Sequence, residues 1–95
     1  MQPVKFRSKL GIYLEILTAV NDEGHAKPTC ILQRANLPHD RFTRYLRELV
    51  NRDLVAEDRL DRNKTYLLTS RGKIFLEEMS RKEEFLTGFG LSLRV

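Results

Sequence analysis

Two helical patterns in the middle of this chain are joined by almost nothing. Pro28, whose fixed φ suits a first helical position, opens a segment running through Thr29-Cys30-Ile31-Leu32-Gln33-Arg34. Asn36 can end it, because Asn tolerates the left-handed backbone conformation. Leu37-Pro38 is the whole of the link, and a longer helix then runs from about His39 to Arg52. Two helices joined by so short a turn form a helix-turn-helix.

The longer of the two divides cleanly on a helical wheel. Phe42, Tyr45, Leu46 and Leu49 gather on one side, while Asp40, Arg44, Arg47 and Asn51 line the other. The first side predicts burial against a core and the second an exposed ridge carrying two guanidinium groups.

The flanking segments complete an order of elements. Ser8 is a suitable N-cap for a helix ending near Asn21 or Asp22, in which Leu10, Tyr13, Leu14 and Leu17 share a face that Ile12, Ile16 and Val20 widen. A helix so apolar is expected to be contacted from two sides. Leu54–Arg59 and Thr65–Thr69 have strand composition, and the cluster Asp61–Lys64 between them predicts a hairpin turn, with Asn63 as the residue suited to its backbone. Thr69 can cap a last helix from Ser70 to about Thr87, with Gly88 placed to stop it. The reading is a mainly α, α+β fold: a winged helix-turn-helix of about four helices and a small β-hairpin wing.

Composition limits what such a fold can be. The 95 residues, 41% of them apolar, support one domain with its core over about residues 8–87. No apolar run approaches the roughly 20 residues a spanning helix needs, so no membrane association is expected. The single cysteine, Cys30, and the lack of a leader-like apolar stretch predict a cytoplasmic protein. Net charge is +4, which suits a polyanionic partner without demanding one. Residues 1–7 form a basic arm, in which Lys5 and Arg7 continue into Lys9 with no acid between them. At the other end Phe89, Leu91, Leu93 and Val95 alternate with Gly90, Ser92 and Arg94, predicting an extended apolar tail over 88–95.

From Ala26 onward the residues also resemble a known group. Ala-Lys-Pro-Thr-x-Ile-x-x-x-Ala-Asn-Leu, Tyr45-Leu46-x-x-Leu49, Leu54-Val55 and Tyr66-x-Leu68-Thr69-x-x-Gly72 are similar to the small archaeal winged-helix regulators, relatives of the MarR and PadR groups. The resemblance spans about residues 10–80 and implies a transcriptional regulator. Two positions depart from the pattern. Asp53 stands where the family usually has Gly before the first wing strand, and the wing tip lacks Gly.

The physical case for double-stranded DNA does not depend on that resemblance. A helix about 10–12 Å across fits the major groove of B-DNA, where an exposed ridge must offer donors to base edges and phosphates. Arg44 and Arg47 supply forked donors, Arg41 and Thr43 border them, and His39 and Asp40 stand at the end expected to enter the groove, with Asn51 at the other. Asp40 suits stabilisation of the helix N-terminus better than a base contact. Lys27 and Thr29 begin the preceding helix, where backbone amides commonly meet phosphate, and Arg62, Asn63 and Lys64 at the wing tip are placed for flanking backbone or minor groove.

A homodimer is expected, because such proteins read two half-sites, and Ile12, Ile16, Ile74, Phe85, Phe89, Leu91 and Leu93 are the candidate dimer contacts. The competing function is a protein-interaction module with the third helix buried against a partner, which would call for apolar anchors on the ridge. RNA fits less well, since the A-form major groove is too deep and narrow. Cys30 reads as a small buried apolar residue. His25 and His39 lack metal-ligand spacing, and Glu77-Glu78 and Glu83-Glu84 read as intrahelical ion-pair partners. No catalytic set, metal site or cofactor loop is expected.

Overall fold

The computed structural model describes residues 8–93. In chain order it holds α1 (Lys9–Glu23), α2 (Pro28–Ala35), α3 (His39–Asn51), β1 (Val55–Leu60), β2 (Asn63–Leu68) and α4 (Ser70–Thr87). Four helices and an antiparallel hairpin form the winged helix-turn-helix expected above. Among the described residues no helix is long and apolar enough to cross a membrane. The basic arm over 1–7 and Val95 lie outside the described residues.

The chain is organised around α1, which packs against α2, α3, α4 and β2. Ser8 starts it by accepting the Gly11 N–H at 2.9 Å, and Gly24, at φ +79, ends it. Ile12, Leu14, Ile16, Leu17 and Val20 are all buried within the protomer. Each such side chain contributes roughly 1.5–3 kcal/mol relative to exposure. This corrects one expectation: Ile16 is 0% exposed and Ile12 3%, so neither can meet a second copy without unfolding this one. The width of the apolar face is consumed by the protomer's own core.

Asn36 closes α2 in the left-handed region, φ 52 and ψ 57, as its chemistry predicts. At the end of α3 the Leu54 N–H donates to the Leu49 carbonyl and the Asp53 N–H to the Val50 carbonyl, both at 3.0 Å. This double closure requires a left-handed residue between helix and strand, and Asp53 takes it with φ 59. The glycine missing from the sequence is therefore missing from a position whose geometry asks for one.

The hairpin turn departs from expectation. Strand pairing runs to Leu60↔Asn63, which leaves Asp61 and Arg62 as the two turn residues, with φ 50 and 69. Two-residue hairpins favour positive φ at both central positions because that twist matches the strands. Asn63 is thus a strand residue and not the turn residue the sequence suggested. A single-residue β-bridge to the hairpin, absent from the sequence reading, is supplied by Ala26. Its N–H donates to the Tyr66 carbonyl at 2.8 Å and its carbonyl accepts from Tyr66 at 2.9 Å.

Thr69 joins hairpin to α4. Its hydroxyl oxygen accepts the Gly72 N–H at 2.9 Å and its O–H donates to the Asp53 carbonyl at 2.6 Å. A Cβ at Gly72 would collide with the backbone carbonyl of Leu54. The Thr-x-x-Gly spacing therefore brings cap and close approach together at one junction.

α4 ends at Thr87 with Gly88 as its C-cap, as expected, but the tail that follows differs from expectation. Gly88 keeps helical dihedrals, and the turn continues to Gly90, at φ +74, with the Leu91 N–H returning to the Leu86 carbonyl at 3.0 Å. Residues 88–91 form a helix terminus, not an extended tail. Ser8 then donates through its hydroxyl to the Leu93 carbonyl at 3.2 Å, bringing this end of the chain to the start of α1.

Candidate nucleic-acid interface

Phe42, Tyr45, Leu46 and Leu49 face the core, so α3 is fixed in roll and turns its remaining side chains outward. A cleft of about 240 Å³ separates it from the hairpin. One wall carries His39, Thr43 and Arg47, a stripe at four-residue spacing, and the other carries Glu57, Lys64 and Tyr66. Phe42, Leu46 and Val50 form the apolar base, and Pro28 brings the start of α2 to its rim.

Asp40, Arg44 and Asn51 are exposed on an adjoining stripe of α3. The Arg44 guanidinium lies 5.1 Å from the centre of the Tyr45 ring, over its face, which restrains it without burying it. Helical spacing puts Arg41 on the flank shared with Glu48, away from the hairpin. Lys27 and Thr29 are exposed at the beginning of α2, and Arg62, Asn63 and Lys64 are exposed on the hairpin.

The Glu48 flank is tied to α1. Tyr13 donates through its hydroxyl to Glu48 Oε2 at 2.9 Å, and Lys9 Nζ stands 3.1 Å from Glu48 Oε1. Lys9 and Arg52 each lie 5.6 Å from the Tyr13 ring. The Tyr13 hydrogen bond and the two cations hold the Glu48 carboxyl below its ordinary value, while burial pushes the Tyr13 phenol up. The bond to Glu48 raises Lys9 in turn. These contacts orient α3 from behind and leave the cleft side free.

Sequence reasoning missed Glu57 and Tyr66. Tyr66 spends its backbone N–H and carbonyl on Ala26, so its pairing with Glu57 is left to side chains, and its hydroxyl donates to Glu57 Oε1 at 3.3 Å. Burial first, and then Glu57, raises the Tyr66 phenol. Alternation along β1 puts Glu57 on the face of buried Val55, a signal that was readable once the turn had been placed correctly.

Elsewhere, Cys30 is half-buried, more open than expected, with a free thiol. His25 Nε2 lies 3.5 Å from Asp58 on the wing. Among the described residues no group of three or more His, Cys, Asp or Glu is arranged to hold a metal ion. Of the candidate contacts for a second copy, Ile74, Phe85 and Phe89 are 68%, 67% and 69% exposed, Leu91 is exposed and Leu93 half-buried.

A helix-turn-helix whose second helix shares a cleft with a following hairpin defines a winged helix. The chain belongs to the winged helix-turn-helix family, whose model matches residues 6–87. No curated protein matches it. Among solved structures it is similar to a MarR family transcriptional regulator from Silicibacter pomeroyi, with 25% identity and TM-score 0.71, over 75% of this chain and 49% of that one. It is also similar to Bordetella bronchiseptica BpsR, a protein whose DNA binding is regulated by 6-hydroxynicotinic acid. That match has 22% identity and TM-score 0.72, over 81% and 57% of the two chains. Sso10a-2, a DNA-binding protein from Sulfolobus solfataricus, matches with 24% identity and TM-score 0.68, over 88% of this chain and 90% of that one. The chain thus spans 49% and 57% of the two bacterial proteins and most of Sso10a-2.

Proposed function

We propose that this protein is a double-stranded DNA-binding transcriptional regulator that acts as a homodimer. The carrying observation is the outward ridge of α3: Arg44 and Arg47 are exposed, and Arg47 shares a cleft with Lys64 of the wing. In this reading α3 lies in the major groove, His39, Thr43 and Arg47 approach base edges, and Arg62 and Lys64 meet the flanking backbone or minor groove. Lys27 and Thr29 contact phosphate at the start of α2, and Asp40 serves the N-terminus of α3. The absence of an apolar anchor on this ridge argues against a protein partner there.

The second copy is assigned to α4. Its outward stripe reads Ile74, Glu78, Arg81, Phe85, at spacings of four, three and four, and Phe89 just past the helix packs against Phe85 with ring centres 5.2 Å apart and the rings tilted by 57°. An antiparallel copy centred between Met79 and Ser80 sets Ile74 against Phe85 of the partner subunit and Glu78 against Arg81 of the partner subunit. Apolar contacts then close both ends and crossed ion pairs fill the middle. A dimer of this kind can present two α3 ridges to half-sites one helical turn, about 34–36 Å, apart.

Selection of bound fragments from random duplexes at fixed salt, followed by titration of the recovered sequence, tests the reading. Arg47→Ala is expected to cost about 1–3 kcal/mol on the selected sequence and to relax its preference, whereas Arg41→Ala, on the Glu48 flank, changes little. Failure of the wild-type protein to retain any duplex at low salt defeats the proposal.

A further inference from the structure

The described acidic side chain in the cleft is Glu57, and its position is not that of a free surface carboxylate. The Tyr66 hydroxyl donates to it at 3.3 Å from a largely buried ring, and Lys64 Nζ lies 3.8 Å from the same oxygen. Glu57 and Tyr66 are cross-strand partners, and Lys64 is the diagonal neighbour on the same face of the hairpin. The carboxylate is therefore held where it offsets the one cation of the cleft's hairpin wall. Arg47 faces it from α3, so a phosphate entering between the walls meets a cation on one side and an already partnered lysine on the other.

We propose that Glu57 limits how tightly this surface holds DNA of arbitrary sequence, and that it does so by engaging Lys64 in the free protein. The inference rests on the DNA-binding reading above and adds a regulation of that surface which the reading does not require. A partnered Lys64 that meets phosphate must first give up Glu57, and it leaves an unscreened carboxylate close to the backbone. Part of the gain from counterion release is thereby cancelled. Base-edge contacts made by α3 are unaffected, so a smaller share of the total binding is independent of sequence. Glu57 acts here as a positioning residue for Lys64.

The test is a salt titration of binding to a random-sequence duplex, with wild type, Glu57→Gln, Lys64→Gln and the double variant, each checked for an unchanged unfolding midpoint. Glu57→Ala serves as a second neutralisation. Neutralising Glu57 is expected to tighten random-duplex binding by about three- to tenfold at low salt, the scale of one partly screened charge interaction. It should also steepen the log-log salt slope by about one, the amount due to one further phosphate contact. In the Lys64→Gln background the gain should largely disappear. Unchanged or weaker binding by both Glu57 variants, beside a wild type that binds, overturns the inference and leaves the DNA-binding reading standing. So does a gain that persists undiminished without Lys64. A wild type that binds no duplex removes the underlying reading, and the inference falls with it.

Discussion

Helices α3 and α4 leave the same core with opposite outward chemistry. The exposed side of α3 is Asp40, Arg44, Arg47 and Asn51, beside a cleft that continues the charge onto the wing. The exposed side of α4 carries Ile74 and Phe85 with charges set between them, and Phe89 follows just past its end. A large apolar side chain left in water gives up roughly 1.5–3 kcal/mol that burial would supply. Two on one stripe, with Phe89 beside Phe85 just past the helix end, mark a surface suited to covering, whereas the α3 ridge loses nothing by staying wet. The contrast separates the two roles proposed above, one face for a polyanion and one for a second copy.

The sharpest way to break the contrast is to put a charge on α4. Phe85→Glu is expected to raise the dimer dissociation constant at least about thirtyfold, the scale of losing an aromatic anchor worth 2 kcal/mol or more. Sedimentation equilibrium reads this, and an unchanged association state removes α4 from the dimer assignment. Because Phe85 is exposed, the unfolding midpoint measured at dissociating concentration should stay where it is.

Gly72→Ala strikes both faces at once, since the added methyl meets the Leu54 backbone where α4 and the hairpin join. A loss of about 1–3 kcal/mol is expected in urea unfolding, as for other overpacked sites. A neutral result would mean that the junction has slack.

The two helices also end alike, each with a left-handed residue, Asp53 after α3 and Gly90 after α4. Exchanging their chemistry should give effects of opposite sign. Asp53→Gly is expected to stabilise by up to about 1 kcal/mol and Gly90→Ala to destabilise by a similar amount. Thermal unfolding of the pair checks it.

The smallest effect concerns the polar tie behind α3. Glu48 titrates below its ordinary value in the fold, so its contribution is complete at neutral pH and is lost as pH falls through that lowered value. Glu48→Gln should flatten the acid limb of stability against pH, and an unaltered limb would show that Lys9 and Tyr13 do not engage it in solution.

The order of elements was legible in the sequence because it rests on local signals: the Pro38 link, the left-handed Asn36 and the Thr69 cap. The ridge of α3 was legible for the same reason, since helical period alone separates Arg47 from Leu46. What failed depended on partners distant in sequence. Ile12 and Ile16 looked spare because periodicity cannot count how many elements surround a helix, and here α1 meets four. Asn63 looked like the turn residue because its type suits positive φ, whereas strand register assigned that conformation to Asp61 and Arg62. The same register, unseen, hid Glu57. Gly88 does cap α4 as its type suggests, whereas the tail after it was misjudged, because the left-handed closure at Gly90 depends on a bond reaching back to Leu86.

The contact of Gly72 with the Leu54 carbonyl makes a rigid elbow of α4 and the wing. With 15 residues of α4 beyond Gly72, the helix is a lever about 23 Å long, and a 5° change of pitch at its base moves the far end by about 2 Å. Whatever grips the far end of α4 therefore also steers the hairpin. In the dimer proposed above, the pitch of α4 would thus set the span between the two wings.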